Sequence, residues 1–434
     1  MNNSFLITRN KIIKKKINVA IVGVGYVGIK LALAFAKNKL NVYCYDKDKN
    51  KKKLLKLKKS PFSYISNLAI KNVHKYLKIK ESFSSINECD AIIFALPTPL
   101  KNGKPDLSHI TSAWSLIQKF IRPGQLIILE STTYPGSTEK IFLPFLKQNF
   151  IIDKNIFLSF SPERENPGDN KYSFRNTPKV ISGYGLNSKK LCKSLYEIIV
   201  NKIITAKNIK IAEMSKLLEN IYRSVNIALV NELRIATLKM NIDIYDVIDV
   251  ASTKPFGFQK FLPGPGTGGH CIPIDPVYFS WLAKKYKTHS KFIDLSTKIN
   301  LYRTNWIINQ IRKIINLQKI KIPKILLLGL SYKKNIEDTR ESASIKIFKK
   351  LKESNFDINF CEPYLNKYNF NINNKIITIK SIKYNLKKII KYDIIIISTD
   401  HDKFNYNKIF RSERIIIDLR GRARKINKKN IFSL

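Results

Sequence analysis

Residues 17–28 read Ile17-Asn18-Val19-Ala20-Ile21-Val22-Gly23-Val24-Gly25-Tyr26-Val27-Gly28. This apolar run, rich in β-branched residues, predicts a strand that ends in the glycine pattern GxGxxG, and helix formers follow it. A second strand-like run ends at Asp46, 18 residues after Gly28. A strand, a glycine turn, a helix, a strand and an acidic residue in this order are typical of a dinucleotide-binding unit.

Each glycine of the pattern has its own expected role. Gly23 permits a tight turn, Gly25 lets the backbone approach a pyrophosphate, and Gly28 allows the helix to pack closely on the strand. The helix N-terminus offers unpaired N–H groups and the positive end of its dipole to the phosphates. Asp46 would accept hydrogen bonds from the ribose hydroxyls, which favours NAD over NADP, although the nearby lysines would suit a 2′-phosphate. The cofactor-binding residues predicted from this stretch are Gly23, Val24, Gly25, Tyr26, Val27, Gly28, Asp46 and Lys51.

The pattern of apolar residues divides the chain into three parts. Strands and helices alternate up to about residue 205, which indicates a doubly wound parallel sheet. Residues 210–240 contain no Gly or Pro and predict one long helix, with helical character continuing to about residue 252. Helices resume over residues 278–317, and a second α/β block begins at residue 324. The predicted fold is α/β, with two Rossmann-like doubly wound domains, 1–205 and 319–434, joined by a central helical domain, 206–318.

Composition excludes several classes of protein. The 434 residues are 44% hydrophobic, 11% aromatic and 25% charged, which are values of an ordinary globular protein and not of a disordered or collagen-like chain. The five cysteines contain no CxxC pair, so neither a disulfide framework nor a cysteine zinc site is expected. No apolar run reaches the ~18 residues of a membrane helix, and the N-terminus lacks the apolar core of a secretory signal. We therefore expect a cytoplasmic protein without membrane insertion and without a metal.

The net charge of +46 has two interpretations. A chain with 78 basic and 32 acidic residues could bind nucleic acid or an anionic membrane. However, 14 of the 78 are Arg and 64 are Lys, and Lys, Ile and Asn are overused together, as in an A/T-rich genome. Nucleic-acid binders concentrate their charge on one element, whereas these lysines are spread along the chain. We predict that nucleic acid is not a partner.

The most unusual stretch lies in the middle of the chain. It reads Pro263-Gly264-Pro265-Gly266-Thr267-Gly268-Gly269-His270-Cys271-Ile272-Pro273-Ile274-Asp275-Pro276. Such a loop brings backbone close to a ligand and presents one thiol. Cys271, next to His270 and four residues before Asp275, is a candidate nucleophile. Taken alone, a single cysteine in a loop can equally be inert.

Motifs along nearly the whole chain resemble those of the UDP-glucose/GDP-mannose dehydrogenase family. Within that family, the 252–258 segment and the 268–276 run are most like the branch that oxidises UDP-N-acetylglucosamine. The matching motifs are Gly23–Gly28, Leu96–Leu100, Glu130–Gly136, Ser161–Gly168, Lys216–Asn220, Gly268–Pro276 and Gly329–Lys333 with Arg340–Ser342.

The resemblance implies an oxidoreductase that uses NAD to oxidise the C6 hydroxyl of a UDP-sugar to a carboxylate, a four-electron reaction that supplies uronic acids for surface polysaccharide such as O-antigen. Cys271 would form a thiohemiacetal and then a thioester. Lys216 would stabilise the developing oxyanion, and Asp275 would orient the hydrolytic water. The catalytic residues carried over from the family are Cys271, Lys216, Asp275, Asn220, Thr133 and Glu163.

The resemblance also assigns binding residues and partners. The additional cofactor-binding residues that it implies are Pro97, Thr98 and Arg340. The substrate-binding residues that it implies are Glu163, Arg164, Lys216, Asn220, Gly266, Gly268 and Lys333. Because no three-glycine pattern recurs after Leu328, residues 319–434 are expected to bind the UDP-sugar and not a second NAD. The long helix is the dimer core of the family, so a homodimer or a higher homo-oligomer is expected.

Two departures from the family pattern bear on the sugar. Members that act on UDP-glucose have a second glutamate where this chain has Pro167, and an arginine ahead of the glycine loop where it has only Lys254 and Lys260. Both favour an N-acetylated sugar, best UDP-N-acetylglucosamine, and leave UDP-glucose and UDP-N-acetylmannosamine open. A third hypothesis, from a different class, is a polyanion-binding protein on an inactive dehydrogenase scaffold.

Overall fold

The structure, a computed structural model, describes residues 4–62, 64–164 and 174–434. The chain forms two compact units, residues 1–219 and 220–434. Each unit contains its own parallel sheet.

The first unit contains these strands and helices: α1 Ser4–Ile13, β1 Asn18–Val22, α2 Tyr26–Lys37, β2 Asn41–Tyr45, α3 Lys49–Lys56, α4 Asn67–Lys71, β3 Leu77–Ile79, β4 Ala91–Phe94, β5 Leu100–Lys101, β6 Lys104–Pro105, α5 Ser108–Ile117, β7 Leu126–Leu129, α6 Ser137–Asn149, β8 Phe157–Phe160, β9 Lys179–Gly183, α7 Leu186–Glu197 and β10 Ile203–Thr205. Short 3₁₀ helices lie at His74–Tyr76, Phe83–Glu88 and Gln118–Phe120.

An eight-stranded sheet with the order β10-β9-β8-β7-β4-β1-β2-β3 organises this unit. Both faces are buried: Val19 and Ile21 of β1 pack in one apolar cluster, and Ala20 and Val22 pack in the other. Apolar residues are therefore continuous along the strand, as in doubly wound folds. The predicted parallel sheet is confirmed except at one edge, where β9 runs antiparallel to β8 and β10 runs parallel to β9.

The strand order reverses at β1, which pairs with β2 on one side and with β4 on the other. Ligands of open α/β sheets bind at such a switch point, beyond the carboxyl ends of the strands. Gly23 follows β1, and Pro97 and Thr98 come shortly after β4. The topology thus brings the predicted cofactor-binding segments to one edge.

The long helix α8 spans Ile209–Lys239 and contains the boundary between the two units. The predicted long helix over residues 210–240 is confirmed, and the helical character predicted to about residue 252 is a second helix, Ile244–Ala251, that follows a turn. Asn241 has a φ of 56°, and the side chain of Asp243 accepts a hydrogen bond from Tyr245 N and begins a new helix. This left-handed residue and this N-cap are ordinary signals for the end of one helix and the start of the next.

The second unit continues with these elements: α9 Ile244–Ala251, α10 Asp275–Lys285, α11 Lys291–Leu317, β11 Lys324–Leu328, α12 Ala343–Glu353, β12 Asp357–Cys361, β13 Lys367–Ile372, β14 Lys375–Lys380, α13 Leu386–Ile389, β15 Ile394–Ile397, α14 Tyr406–Phe410, β16 Ile415–Asp418 and β17 Ile431–Ser433.

Its five-stranded sheet, β12-β11-β15-β16-β17, is parallel throughout. The second predicted α/β block is therefore confirmed. The sequence analysis did not anticipate the antiparallel hairpin β13–β14, although Asn373 and Asn374, with φ of 48° and 61°, are typical of a tight hairpin turn.

None of the helices in the part of the chain that the structure describes has the length and apolar character needed to cross a bilayer. The same residues contain no group of three or more His, Cys, Asp or Glu side chains arranged to hold a metal ion.

Candidate active site

The glycine turn after β1 has the geometry that its pattern predicts. Gly23 has a φ of 98°, and a Cβ there would lie 2.6 Å from the carbonyl oxygen of Ala95. A Cβ on Gly28 would collide with the carbonyl oxygen of Gly23. A Cβ on Gly25 would meet nothing within 4 Å, so this position faces open space. Gly23 and Gly28 therefore serve the fold, while Gly25 leaves room for a ligand.

The start of α2 and Asp46 can hold a dinucleotide. Gly25 is the N-cap residue of α2, and no described side chain caps this helix, so its first N–H groups can donate to phosphates. Asp46 Oδ2 accepts a hydrogen bond from Val24 N at 2.9 Å, and Oδ1 accepts one from Asp48 N at 2.9 Å. The carboxylate is thus fixed beside the glycine turn, with remaining lone pairs for ribose hydroxyls. Lys51 Nζ lies 3.8 Å from Asp46 Oδ2.

The loops after β4 and β7 are tied together. Thr98 is buried and its hydroxyl donates to the carbonyl oxygen of Thr132 at 2.8 Å, whereas Pro97 is exposed. Leu96 N donates to Ser131 Oγ at 2.9 Å. The neighbouring Thr133 is fully buried, and its hydroxyl has no hydrogen-bond partner among the described residues. A buried hydroxyl without a protein partner suits a bound water.

Glu213 of α8 anchors the end of the same loop. Its carboxylate accepts hydrogen bonds from Gly136 N at 2.6 Å, from Thr138 N at 2.9 Å, and from the hydroxyls of Ser137 and Thr138 at 3.0 and 2.6 Å. Burial raises the pKa of Glu213, and these hydrogen bonds oppose the rise. Glu213 therefore caps α6 and fixes the Thr133 loop against α8.

Arg164 ties a second loop to the same helix. Glu163 Oε1 accepts a hydrogen bond from Arg164 N at 2.8 Å. The Arg164 guanidinium donates to the carbonyl oxygen of Pro178 at 2.9 Å and pairs with Glu219 of α8 at 2.7 Å. Lys216 lies on α8 between Glu213 and Glu219, three residues from each. Loops that carry Thr133 and Glu163 are thus fastened to α8 on either side of Lys216 in sequence. The rest of the Glu163 motif, including Pro167, lies outside the described residues.

Lys216 and Asn220 are both buried, so neither lies on an ordinary solvated helix face. Arg223, one turn further, is exposed. Within the second unit, Asn220 Nδ2 donates to Oδ2 of the buried Asp275. Two predicted catalytic side chains therefore form a direct pair, which fixes the orientation of the carboxylate.

Cys271 differs from the other cysteines. All five are thiols without a disulfide, but Cys271 alone is partly accessible. Burial raises the pKa values of the Cys44, Cys192 and Cys361 thiols to about 12. Cys89 is shifted in the same direction for the same reason. The only accessible thiol is thus the predicted nucleophile.

Close packing fixes the loop that carries Cys271. Its backbone carbonyl accepts hydrogen bonds from Ile274 N and Asp275 N at 3.1 and 2.9 Å, where α10 begins. Gly269 has a φ of 86° and donates to the carbonyl oxygen of Arg340 at 2.8 Å. Burial lowers the pKa of His270, the nearby Arg340 lowers it further, and His270 Nε2 has no hydrogen-bond partner among the described residues. The imidazole is therefore neutral at physiological pH.

The predicted substrate-binding glycines are crowded by protein. A Cβ on Gly266, whose φ is 141°, would collide with Thr304 Oγ1. A Cβ on Gly268 would lie 2.6 Å from Tyr332 Cβ. The lack of a side chain at these positions is therefore required by packing, whether or not their backbone also contacts a substrate.

Lys333 lies in a loop held at both ends. At one end, Leu330 N and Ser331 N donate to Glu362 at 2.8 and 3.1 Å. At the other, Asn335 N donates to His401 Nδ1 at 2.9 Å, and His401 Nε2 lies 3.0 Å from Glu362. Since Nδ1 accepts, Nε2 carries the proton and donates to Glu362. The pair of Glu362 and His401, both buried, thus fixes the loop.

Arg340 is exposed and pairs with Asp338, with Arg340 Nη2 2.5 Å from Asp338 Oδ2. This pair orients the guanidinium within its own loop. Its predicted contact with the cofactor phosphates stays a prediction.

The sequence analysis missed several residues that build this site, namely Glu130, Lys179, Glu213, Glu362 and His401. Glu130 and Glu362 had a usable signal: Glu130 follows β7 and begins the Glu130–Gly136 motif, and Glu362 follows a strand of the second sheet as Asp46 follows β2 of the first. Unlike Asp46, Glu362 is already saturated by protein donors. The others act through contacts distant in sequence, which no local pattern reveals.

Comparison with known proteins agrees with this organisation. Three domain models of the UDP-glucose/GDP-mannose dehydrogenase family match the chain: the NAD-binding domain over residues 17–200, the central domain over 210–302 and the UDP-binding domain over 326–425. A three-domain α/β dehydrogenase fold with a helical centre and NAD as the cofactor of the first domain are thereby established.

The names of relatives of similar length refer to two different sugars. The chain is 32% identical to a UDP-N-acetyl-D-glucosamine 6-dehydrogenase of Pseudomonas aeruginosa, over 94% of this chain and 97% of the relative. It is 30% identical to a UDP-N-acetyl-D-mannosamine dehydrogenase of Methanocaldococcus jannaschii, over 95% and 91%. Among solved structures, the UDP-D-ManNAc dehydrogenase of Pyrococcus horikoshii superposes with a TM-score of 0.82 at 27% identity, over 96% of this chain and 98% of that one.

Proposed function

The chain belongs to the UDP-glucose/GDP-mannose dehydrogenase family, and on this basis we propose that it oxidises the C6 hydroxyl of a UDP-N-acetylhexosamine to a carboxylate. One observation carries the proposal. Of five cysteines only Cys271 is accessible, and its segment contains Asp275, which is paired with Asn220. An accessible thiol in the same segment as an oriented carboxylate favours an active enzyme over an inactive scaffold.

The residues of the chain divide the reaction into an oxidation to the aldehyde, an oxidation to the thioester and a hydrolysis. NAD, when bound, accepts one hydride in each oxidation. The Lys216 ammonium stabilises the negative charge that develops on the C6 oxygen. Cys271 attacks the aldehyde and retains it as a thiohemiacetal, so the intermediate stays bound between the two oxidations.

Hydrolysis of the thioester requires a positioned water. Thr133 supports this role because its buried hydroxyl has no partner among the described residues. Glu163 and Asp275 are carboxylates that can orient the water and accept its proton. Asn220 holds Asp275 in one orientation through the hydrogen bond to Oδ2.

The sugar that we propose is N-acetylglucosamine. The relatives from Pseudomonas aeruginosa and Salmonella typhi that carry the name UDP-N-acetyl-D-glucosamine 6-dehydrogenase match over 94% and 90% of this chain. The absence of an arginine between Ser252 and Leu262 favours an N-acetylated sugar as well. UDP-N-acetylmannosamine is the second candidate, because relatives of that name are equally similar.

We also propose that the chain forms a homodimer through α8. Five apolar side chains on this helix are exposed, Ile211, Leu218, Tyr222, Leu229 and Leu233. Their spacing of seven, four, seven and four residues places them in one stripe, which a second copy of the helix can cover. Leu229→Glu combined with Leu233→Glu should give a monomer by light scattering. Leu317→Glu, at another exposed apolar position, should leave the dimer intact.

The activity is tested by measuring NADH formation with UDP-N-acetylglucosamine, UDP-N-acetylmannosamine and UDP-glucose in parallel, with the mass of each product. Two NADH per UDP-N-acetylglucosamine and a uronic acid product are expected. Turnover of only UDP-N-acetylmannosamine or only UDP-glucose would leave the proposed mechanism intact and change the assigned substrate. Binding of NAD without turnover of any of the three would contradict the proposed function and favour the inactive scaffold.

A further inference from the structure

Three buried ionisable side chains form a connected group, one member of which faces Glu163, and they have no role in the reaction described above. Glu130 follows β7 and is 1% exposed, Lys179 begins β9 and is 3% exposed, and Tyr196 of α7 is fully buried. Burying such groups is costly unless they are paired. Their contacts with one another and with Glu163 indicate the role of this group.

Lys179 Nζ has oxygen atoms in three directions. It forms an ion pair with Glu130 Oε1, donates to the carbonyl oxygen of Pro162 at 3.1 Å, and lies 3.8 Å from Glu163 Oε2. The rings of Phe174 and Tyr196, with centroids 5.8 and 5.1 Å from Nζ, border the ammonium. A buried cation therefore connects a buried carboxylate with the partly exposed carboxylate of Glu163.

Glu130 fixes the position of the Lys179 ammonium. Its second oxygen, Oε2, accepts a hydrogen bond from the Tyr196 hydroxyl at 2.8 Å. Burial raises the pKa of Glu130, and the attraction of Lys179 opposes the rise. Because both Glu130 oxygens are engaged by protein donors, the position of the ammonium is set by the fold.

Both oxygens of Glu163 are in this way restrained. Oε1 accepts the hydrogen bond from Arg164 N, and Oε2 faces Lys179. We infer that Lys179 is a positioning residue that fixes the Glu163 carboxylate for hydrolysis of the thioester, with Glu130 and Tyr196 holding Lys179 in place. This inference rests on the function proposed above.

The step affected is the last one of the reaction. The water oxygen bonds to C6 of the thioester, and the bond between C6 and Cys271 Sγ breaks, leaving its electron pair on sulfur. Glu163 accepts one proton of the water and returns it to the thiolate. The product leaves as a carboxylic acid, which ionises in solution. Neither hydride transfer uses Glu163, so only hydrolysis should depend on Lys179.

The test separates hydrolysis from oxidation in the Lys179→Met variant. In a single rapid-mixing experiment with NAD and UDP-N-acetylglucosamine, or whichever UDP-sugar the wild type oxidises, a burst of two NADH per active site is expected at close to the wild-type rate. The later steady rate should fall by about 10- to 100-fold, the effect of misplacing a reacting group by about 1 Å. Mass spectrometry of the quenched protein should find the sugar nucleotide attached to Cys271.

Three further variants control the experiment. Lys179→Arg should restore part of the steady rate, because it retains the cation. Lys193→Met removes an exposed lysine, which pairs with Glu197 on α7, and should behave as wild type. Glu130→Gln preserves the shape of the buried site but removes the negative charge of the carboxylate. It should also slow the steady rate and leave the burst unchanged. This variant replaces Lys179→Met in the test if Lys179→Met does not fold.

Two results would overturn the inference. One is an equal loss of burst rate and steady rate in folded Lys179→Met and Glu130→Gln, which would indicate a purely structural role. The other is an unchanged steady rate in these variants. Failure of the wild type to form NADH with any UDP-sugar would instead overturn the proposed function itself, and the inference with it, so the two failures are distinct.

Discussion

Accessibility separates Cys271 from the other thiols of the chain. Four cysteines are buried with raised pKa values, and only the thiolate form reacts with electrophiles. Iodoacetamide under native conditions should therefore modify one thiol per chain, and peptide mapping should locate it at Cys271. The same treatment should abolish uronic acid formation.

The matched variant is Cys271→Ser. It should bind NAD as the wild type does, take up no iodoacetamide and form no uronic acid. Modification of any second cysteine in the folded protein would contradict the burial pattern, and turnover of Cys271→Ser at the wild-type rate would contradict the covalent route.

Glu213 makes the stability of the fold depend on pH. Its pKa in the folded protein is raised above the usual 4.5 by burial, so between these two values the native state binds more protons than the unfolded state. The free energy of unfolding must then fall as pH rises through that window. Glu213→Gln lacks this titration. Urea denaturation at about pH 5 and about pH 8 should show the wild type losing stability relative to Glu213→Gln at the higher pH. A difference between the two proteins that does not change with pH would show that Glu213 titrates normally.

At the scale of elements, two glycines of the turn between β1 and α2 have different roles: Gly28 is needed for folding and Gly25 for binding of the cofactor. Gly25→Ala adds a methyl group in open space at a φ of −85°, so its stability should stay within about 0.5 kcal/mol of wild type. The same methyl group lies where a pyrophosphate approaches, so NAD affinity should fall about tenfold or more. Calorimetric titration with NAD and thermal unfolding measure the two effects.

Gly28→Ala is the matched control because its methyl group collides with the carbonyl oxygen of Gly23. It should lower the free energy of unfolding by about 1–3 kcal/mol or more. If Gly25→Ala were the more destabilised variant, or if it bound NAD as tightly as wild type, the division of roles would be wrong.

The loop between β11 and α12 depends on His401 in a comparable way. His401→Phe leaves Asn335 N without its partner and removes one of the donors to the Glu362 carboxylate, which should loosen the loop that carries Lys333. We expect the KM for the sugar nucleotide to rise about tenfold, with two NADH still formed per product. The exposed His289 provides the control, His289→Phe, which should leave KM unchanged. An unchanged KM in His401→Phe would show that the loop does not contribute to substrate binding.

Elements with local signals could be predicted from the sequence, and those set by distant contacts could not. The strand before the glycine turn, β1, and the turn itself were predicted closely, because apolar runs and glycine patterns act within a few residues. The reversed direction of β9 and the hairpin β13–β14 were missed. The direction of a strand depends on its neighbours in the sheet, which the sequence of β9 does not specify.

The same distinction between local signals and distant contacts applies to the residues of the candidate site. Cys271 and the motif residues could be found because each belongs to a motif of the family. Glu130, Lys179 and Tyr196 come from three distant segments and meet only in the folded chain. Glu130 begins a family motif, but its pairing with Lys179 and Tyr196 had no local signal, since a lone Glu or Lys beside a strand is usually solvated.

At the scale of the whole molecule, the high net charge can reflect either amino-acid composition or binding of a polyanion. The 64 lysines give a net charge of +46, and described carboxylates such as Asp90, Glu130 and Asp400 are already paired with basic side chains. Such a surface attracts any polyanion through counterion release, without a specific site. Weak DNA binding at low salt is thus expected of an enzyme with this composition as well as of a nucleic-acid-binding protein.

Salt distinguishes these two possibilities. If the charge is compositional, fluorescence anisotropy with a labelled DNA duplex should give a Kd weaker than about 1 μM at physiological ionic strength, and heparin should compete as well as DNA does. Formation of NADH from the UDP-sugar should persist at the same ionic strength, since substrate binding depends on a built site and not on net charge. Tight DNA binding that resists salt, with no turnover, would instead favour a polyanion-binding protein on a dehydrogenase scaffold.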